Sequence, residues 1–103
     1  MRRAAKVDAN HGAIVRALRA VGCSVQSLAR VGEGCPDLAV GYHGRNYLLE
    51  VKDGSKPPSA RKLTPDEQGW HERWRGAVLV VETVDEALEA VGARARADVG
   101  RVG

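Results

Sequence analysis

The sequence contains no phenylalanine, and aromatic residues make up only 4% of it. The core must therefore be assembled from Val, Leu, Ile and Ala, helped by two Trp and two Tyr. Only two cysteines occur, Cys23 and Cys35. They are too few for a disulfide framework, they do not form a CxxC pair, and no spacing to His11, His43 or His71 suggests zinc. They read as reduced thiols of a cytosolic protein. No apolar run approaches the roughly 20 residues of a membrane span. No signal-peptide core follows the basic start. A cytoplasmic protein without a membrane partner is expected. Charge of one sign is not in large excess either: the net charge is +3 with a pI near 9.2, which permits a nucleic-acid partner without requiring one.

What is present fits one domain of 103 residues. We expect the domain to occupy 1–92, with a loose basic lead-in over 1–7 and a frayed tail of Arg, Ala and Gly over 93–103. Ile14, Leu18 and Val21, with Val15, recur at helical spacing. Asp8 or Asn10 is placed to cap this helix and Gly22 to end it. The segment CSVQSLARVG alternates weakly as a strand. PDLAVGY and NYLLEVK are better strands, joined across HGRN, with Pro36 suited to a strand start. DGSKPPSARK reads as a polar loop without structure of its own. A second helix opens at Thr64, with Pro65 in its first turn and Glu67 completing a capping box, and Gly76 stops it. AVLVVE is a continuous apolar run, expected to be an interior strand. A third helix follows, with Thr83 and Glu86 as a second capping box. The order α-β-β-β-α-β-α implies an α/β fold, a small mixed sheet flanked by helices.

Three charges interrupt the two best strands. Glu50 and Lys52 are two apart and share a face, about 7 Å from each other. With Gly44 and Arg45 as the turn centre, His43 pairs with Asn46 and Asp37 with Lys52, which puts Asp37 diagonal to Glu50. A one-residue slip would turn Asp37 away. Two adjacent carboxylates repel unless they take up a proton or a cation. Mg²⁺ suits such a pair, because it wants oxygen ligands and keeps several waters. Asp37 and Glu50 would each give one oxygen and the Val51 carbonyl a third. Lys52 would then serve the attacking water or the phosphate. A salt bridge between Lys52 and either acid is the plain alternative, and for an isolated acid-x-Lys on a strand it is the commoner one.

The series Gly34-Cys35-Pro36-Asp37-Leu38, Glu50-Val51-Lys52, Leu63-Thr64 and Trp70 resembles the PD-(D/E)xK nuclease superfamily. It is nearest to the small stand-alone VRR-NUC-type nucleases of phages and bacteria, and the similarity runs from about Asp8 to Val91. The resemblance implies a restriction-endonuclease-like core and Mg²⁺- or Mn²⁺-dependent hydrolysis of DNA phosphodiesters. It also implies a homodimer acting on branched DNA such as Holliday junctions, in the cytoplasm of a bacterium or a phage-infected host. Relatives carry a Glu on the first helix where this chain has Ala13, with Glu33 as a conceivable substitute. They carry a Gln on the second helix where this chain has Glu67, followed by Gln68. Ala13 favours the alternative of a catalytically weakened or inactive nucleic-acid-binding module.

Lys56, Arg61 and Lys62 are candidates to hold a DNA backbone, or else solubilise a loop. Arg73 and Arg75 suit the end of a helix dipole. Trp70 and Trp74 are expected to serve mainly as core. His71 reads as a surface residue and His43 as a turn residue.

Overall fold

The computed structural model describes residues 9–95. The lead-in over 1–7, Asp8 and the tail beyond residue 95 lie outside that range. The elements are α1 (His11–Ala20), β1 (Ser24–Ser27), β2 (Leu38–Tyr42), β3 (Arg45–Val51), α2 (Pro65–Arg73), β4 (Leu79–Val81) and α3 (Val84–Ala90). Their order is the expected α-β-β-β-α-β-α. The strands form one mixed sheet in the order β1-β2-β3-β4; β2 is antiparallel to both β1 and β3, and β4 runs parallel to β3.

Alternation along the strands divides the sheet chemically. Leu38 and Val40 of β2, Leu49 and Val51 of β3 and Val81 of β4 are buried with Ile14, Leu18, Ala87 and Val91 of the α1 and α3 region. That is the core, built without large aromatics. Glu50 lies between Leu49 and Val51 and must face the other way. Glu67 and His71 of α2 meet this second face. α2 buries none of its residues, so polar ties rather than an apolar stripe hold it to the sheet.

The β2–β3 register differs from expectation by two residues. Tyr42 pairs with Arg45 and Leu38 with Leu49, so the turn is His43-Gly44, not Gly44-Arg45. Both turn residues have positive φ, 50° and 79°. A two-residue hairpin of that hand matches the twist of the flanking strands, and glycine supplies it without strain. Continuing the register by one residue sets Asp37 opposite Glu50 instead of Lys52. A shift of two preserves the face, so the three charges stay on one side of the sheet.

Other expectations are corrected. β4 is an edge strand, with Leu79 and Val80 exposed; an apolar run alone does not say on which side a neighbour lies. α2 ends at Arg73, before Gly76. Thr83 caps α3, but Glu86 accepts a hydrogen bond from the Glu82 amide rather than closing the box on Thr83. The segment after β3 does hold structure: Asp53 Oδ1 accepts from the amide and hydroxyl of Ser55, and Pro58–Ala60 form a 3-10 turn.

Asn10 stands at the N-cap position of α1 without capping it. Its Nδ2 donates to the carbonyls of Lys52 and Glu82 at 3.0 and 2.8 Å. One amide thus clasps the ends of β3 and β4 from beneath α1. Asn10→Ala would take this donor from the Lys52 carbonyl and one of two donors from the Glu82 carbonyl, which keeps the Gly54 amide, and a loss of about 1–2 kcal/mol in chemical denaturation is expected. A loss under about 0.5 kcal/mol would deny the clasp its role.

Candidate functional site

The centre forms where β2 enters, β3 ends and α2 begins. Gly34-Cys35-Pro36 brings the chain across the first turn of α2 and delivers Asp37 to the sheet. Gly34 has φ of 83°, and a Cβ built on it would run into the Asp66 carbonyl and lie 2.9 Å from the Glu67 amide nitrogen. Only a glycine permits this approach. Pro36 is buried just before β2. Asp37 Oδ2 accepts from the Val51 amide at 2.7 Å, which fixes the carboxyl against β3.

Glu50 is 1% exposed. Burial pushes its carboxyl up to about 9, reinforced by a hydrogen bond to Asp37 and by the negative charge of Asp37 and Glu67; Lys52 opposes this. At neutral pH Glu50 therefore keeps its proton. Lys52 Nζ donates to Glu67 Oε1 at 2.7 Å. The same oxygen accepts from the Thr64 amide at 2.9 Å, while Thr64 Oγ1 accepts from the Glu67 amide. The capping box is real, and it also anchors the lysine. Burial pushes the Glu67 carboxyl up, but the hydrogen bonds from Lys52 and Thr64 outweigh it and its pKa is lowered. One turn further along α2, His71 Nε2 lies 3.4 Å from Glu50 Oε1.

A solved structure described as a VRR_NUC domain matches this chain with 27% identity and a TM-score of 0.57, covering 80% of this chain and 94% of its own. The chain has a VRR-NUC-type fold. No family model and no curated protein matches it.

In this VRR-NUC-type domain the expected residues are distributed as follows. Asp37, Glu50, Lys52 and Glu67 converge. Gln68 points away from them and donates to Glu72. Glu33 is exposed in the loop before Gly34 and has positive φ. Ala13 is half-buried on α1. Lys56 and Lys62 are exposed, whereas Arg61 is tied to Glu82 at 2.9 Å. His71 was expected at the surface and instead touches Glu50. The signal for it was its place four residues after Glu67, on the same helical face. Cys35 sits beside the pair as well: burial, then the charges of Glu50 and Asp37, raise its thiol pKa. That disfavours a thiolate nucleophile.

Among the described residues, no group of three or more His, Cys, Asp and Glu side chains is arranged as a metal-ligand set. The side-chain offer at this centre is two carboxyl groups. A buried carboxyl that keeps its proton beside a half-buried one marks a place where a dication would offset the charge, and a hard ion that keeps most of its waters needs no more from the protein. The residues thus fit Mg²⁺ or Mn²⁺ and do not fit a closed structural zinc site. A hollow of about 660 Å³ between β4 and α3 holds Glu82, Glu86 and Glu89 and none of the residues of this centre. No helix among the described residues is long and apolar enough to cross a membrane.

Proposed function

We propose that this domain is a Mg²⁺- or Mn²⁺-dependent endodeoxyribonuclease acting on branched or junction DNA. The observation that carries the reading is the abutting pair Asp37 and Glu50, joined by Lys52, on the face of the sheet under α2. Asp37, Glu50 and the Val51 carbonyl would hold the ion. When bound, the ion supplies charge neutralisation for a phosphate and activation of water. The chain's own residues do the rest. The Val51 amide orients Asp37. Glu67 and the Thr64 cap hold the Lys52 ammonium where it can neutralise charge building on a phosphate oxygen. Hydrolysis forms a bond between water oxygen and phosphorus, breaks the bond to a sugar oxygen and leaves a proton on that oxygen.

Lys56 and Lys62 are positioned to meet the DNA backbone, with Arg61 in a supporting tie to Glu82. Contacts of this kind are blind to sequence, so shape would select the substrate. The exposed Leu79 and Val80 on the free edge of β4 support a homodimer.

The test is cleavage of junction, flap and linear DNA with each ion, on a sample whose mass is checked by sedimentation. Lys52→Ala and Asp37→Asn are each expected to lower cleavage by about 10²-fold or more. Full activity in either variant would refute the assigned roles. The competing reading is an inactive binding module, favoured by Ala13 where relatives carry a Glu. Metal-independent DNA binding without cleavage by the wild type would select it. A parallel RNA panel separates DNA from RNA substrates.

A further inference from the structure

The two tryptophans do not serve the core. Their rings stack with centroids 4.5 Å apart and planes inclined by 18°. Trp74 is 46% exposed. A large aromatic left in water at the end of a helix that buries none of its residues is an unusual use of surface. The pair walls a hollow of about 260 Å³ together with Val31, Glu33, Cys35 and Arg73. Val31 is itself 62% exposed, so the hollow is apolar on two sides. Cys35 joins it to the carboxylate pair, because it lines the hollow and stands two residues before Asp37 in the chain.

Charge around the hollow is uneven. Arg73 lies in it, Arg75 follows Trp74, Arg30 precedes Val31, and all three are exposed. Glu33 is the one acid at the rim. Arginine can meet phosphates on the flanks while the flat indole offers a π-face in the middle. A base inside duplex DNA has both faces stacked and cannot use that indole; an unpaired or terminal base can.

We propose that the Trp70–Trp74 platform is a subsite for an unpaired DNA base, placed next to the carboxylate pair so that cleavage is directed to strands carrying an unstacked nucleotide. The proposal deepens the nuclease reading and rests on it. The stack of Trp70 on Trp74 prepays the ordering of the platform, and the hollow shields one side of an inserted base. Arg73 takes the adjoining phosphate; Glu33 keeps the backbone from entering by the opposite rim.

The test uses the full chain carrying Asp37→Asn, so that nothing is cut, with short oligothymidylate and blunt duplex as probes. The chain has only two tryptophans, so their fluorescence reports the platform directly. Oligothymidylate is expected to quench the emission and to protect it from acrylamide. Adding Trp74→Ala should weaken oligothymidylate binding about tenfold and change duplex binding less than about twofold. Trp74→Phe should restore most of the loss. Absence of quenching and protection overturns the proposal, as does equal weakening of both probes. So does a Trp74→Ala variant that binds both DNAs normally but sediments differently, which would assign the platform to a second copy of the chain. Quenching and protection need no variant and stand even where a substitution fails to fold. The nuclease reading fails separately, if the unmodified chain cuts no DNA with either ion while the platform still binds single strands.

Discussion

Gly34→Ala is expected to lower stability by about 3 kcal/mol and to remove the proposed cleavage. Two effects add. A non-glycine residue at this left-handed φ costs about 1–2 kcal/mol. The new methyl would also collide with the Asp66 carbonyl in the first turn of α2, and overpacking of this kind costs about 1–3 kcal/mol. That carbonyl is backbone and has no rotamer to yield with, so relief requires moving the helix. Moving it withdraws Glu67 from Lys52 and His71 from Glu50. For a domain of this size, about 3 kcal/mol corresponds to a fall in Tm on the order of 15 °C. A melt within about 4 °C of wild type would show that α2 is not seated on Gly34 as described.

Metal-free protein is expected to lose stability as pH rises from about 4.5 to about 9, the ordinary and folded values of the Glu50 carboxyl. The sign follows from proton binding. In that window the folded state keeps a proton that the unfolded chain has released, so the free energy of unfolding falls with each step upward in pH. The Glu50 contribution is fully present below about 4.5 and is gone above about 9. The slope inside the window is at most about 1.4 kcal/mol per pH unit for one proton. Glu67 and Asp53 act in the opposite sense. Their folded pKa values are lowered, Asp53 by its Ser55 hydrogen bonds and Glu67 by Lys52 and Thr64 against the effect of burial. Their contributions fade as pH falls below the usual carboxylate range, so the optimum should lie near about pH 5. Glu50→Gln is expected to flatten the limb above that optimum and to raise Tm at pH 8. Mg²⁺ or Mn²⁺ should raise the wild-type Tm most at the alkaline end, where it replaces the lost proton, and should do little to Glu50→Gln. A flat wild-type profile between pH 5 and 9, measured with a chelator present, would contradict the retained Glu50 proton.

Much of this arrangement could be read before folding because local signals agreed with one another. Leu18 and Ile14 mark the buried stripe of α1, Thr64 and Glu67 mark the start of α2, and the acid-bearing strands place Asp37, Glu50 and Lys52 on one face. The hairpin register was not legible. The choice between His43-Gly44 and Gly44-Arg45 depends on a histidine accepting positive φ, which residue preferences disfavour. The site survived because the two alternatives differ by an even number of residues. The role of Asn10 was hidden for a different reason. Capping and clasping use the same residue type, and only the arrival of β4 beside β3 supplies the two carbonyls that draw the amide away. His71 was missed because α2 carries little apolar patterning, so nothing in it announced which face meets the sheet. β4 misled in the reverse direction, since Leu79 and Val80 look like core and lie at an edge.

The bond between Lys52 and Glu67 also closes the stretch 53–66 into a ring. Its near end is fixed by Asp53 on Ser55 and by the Gly54 amide on the Glu82 carbonyl, and its far end by Arg61 on the Glu82 carboxylate. Between these ties, residues 55–60 are all exposed. Closing a ring becomes only slowly harder as it grows, by about 0.6 kcal/mol for each doubling of length. Extra residues inserted around Lys56 and Pro57 would therefore leave the clasp shut. That short arc is where descendants of this chain, or its engineers, can graft new fingers without disturbing the chemistry beneath.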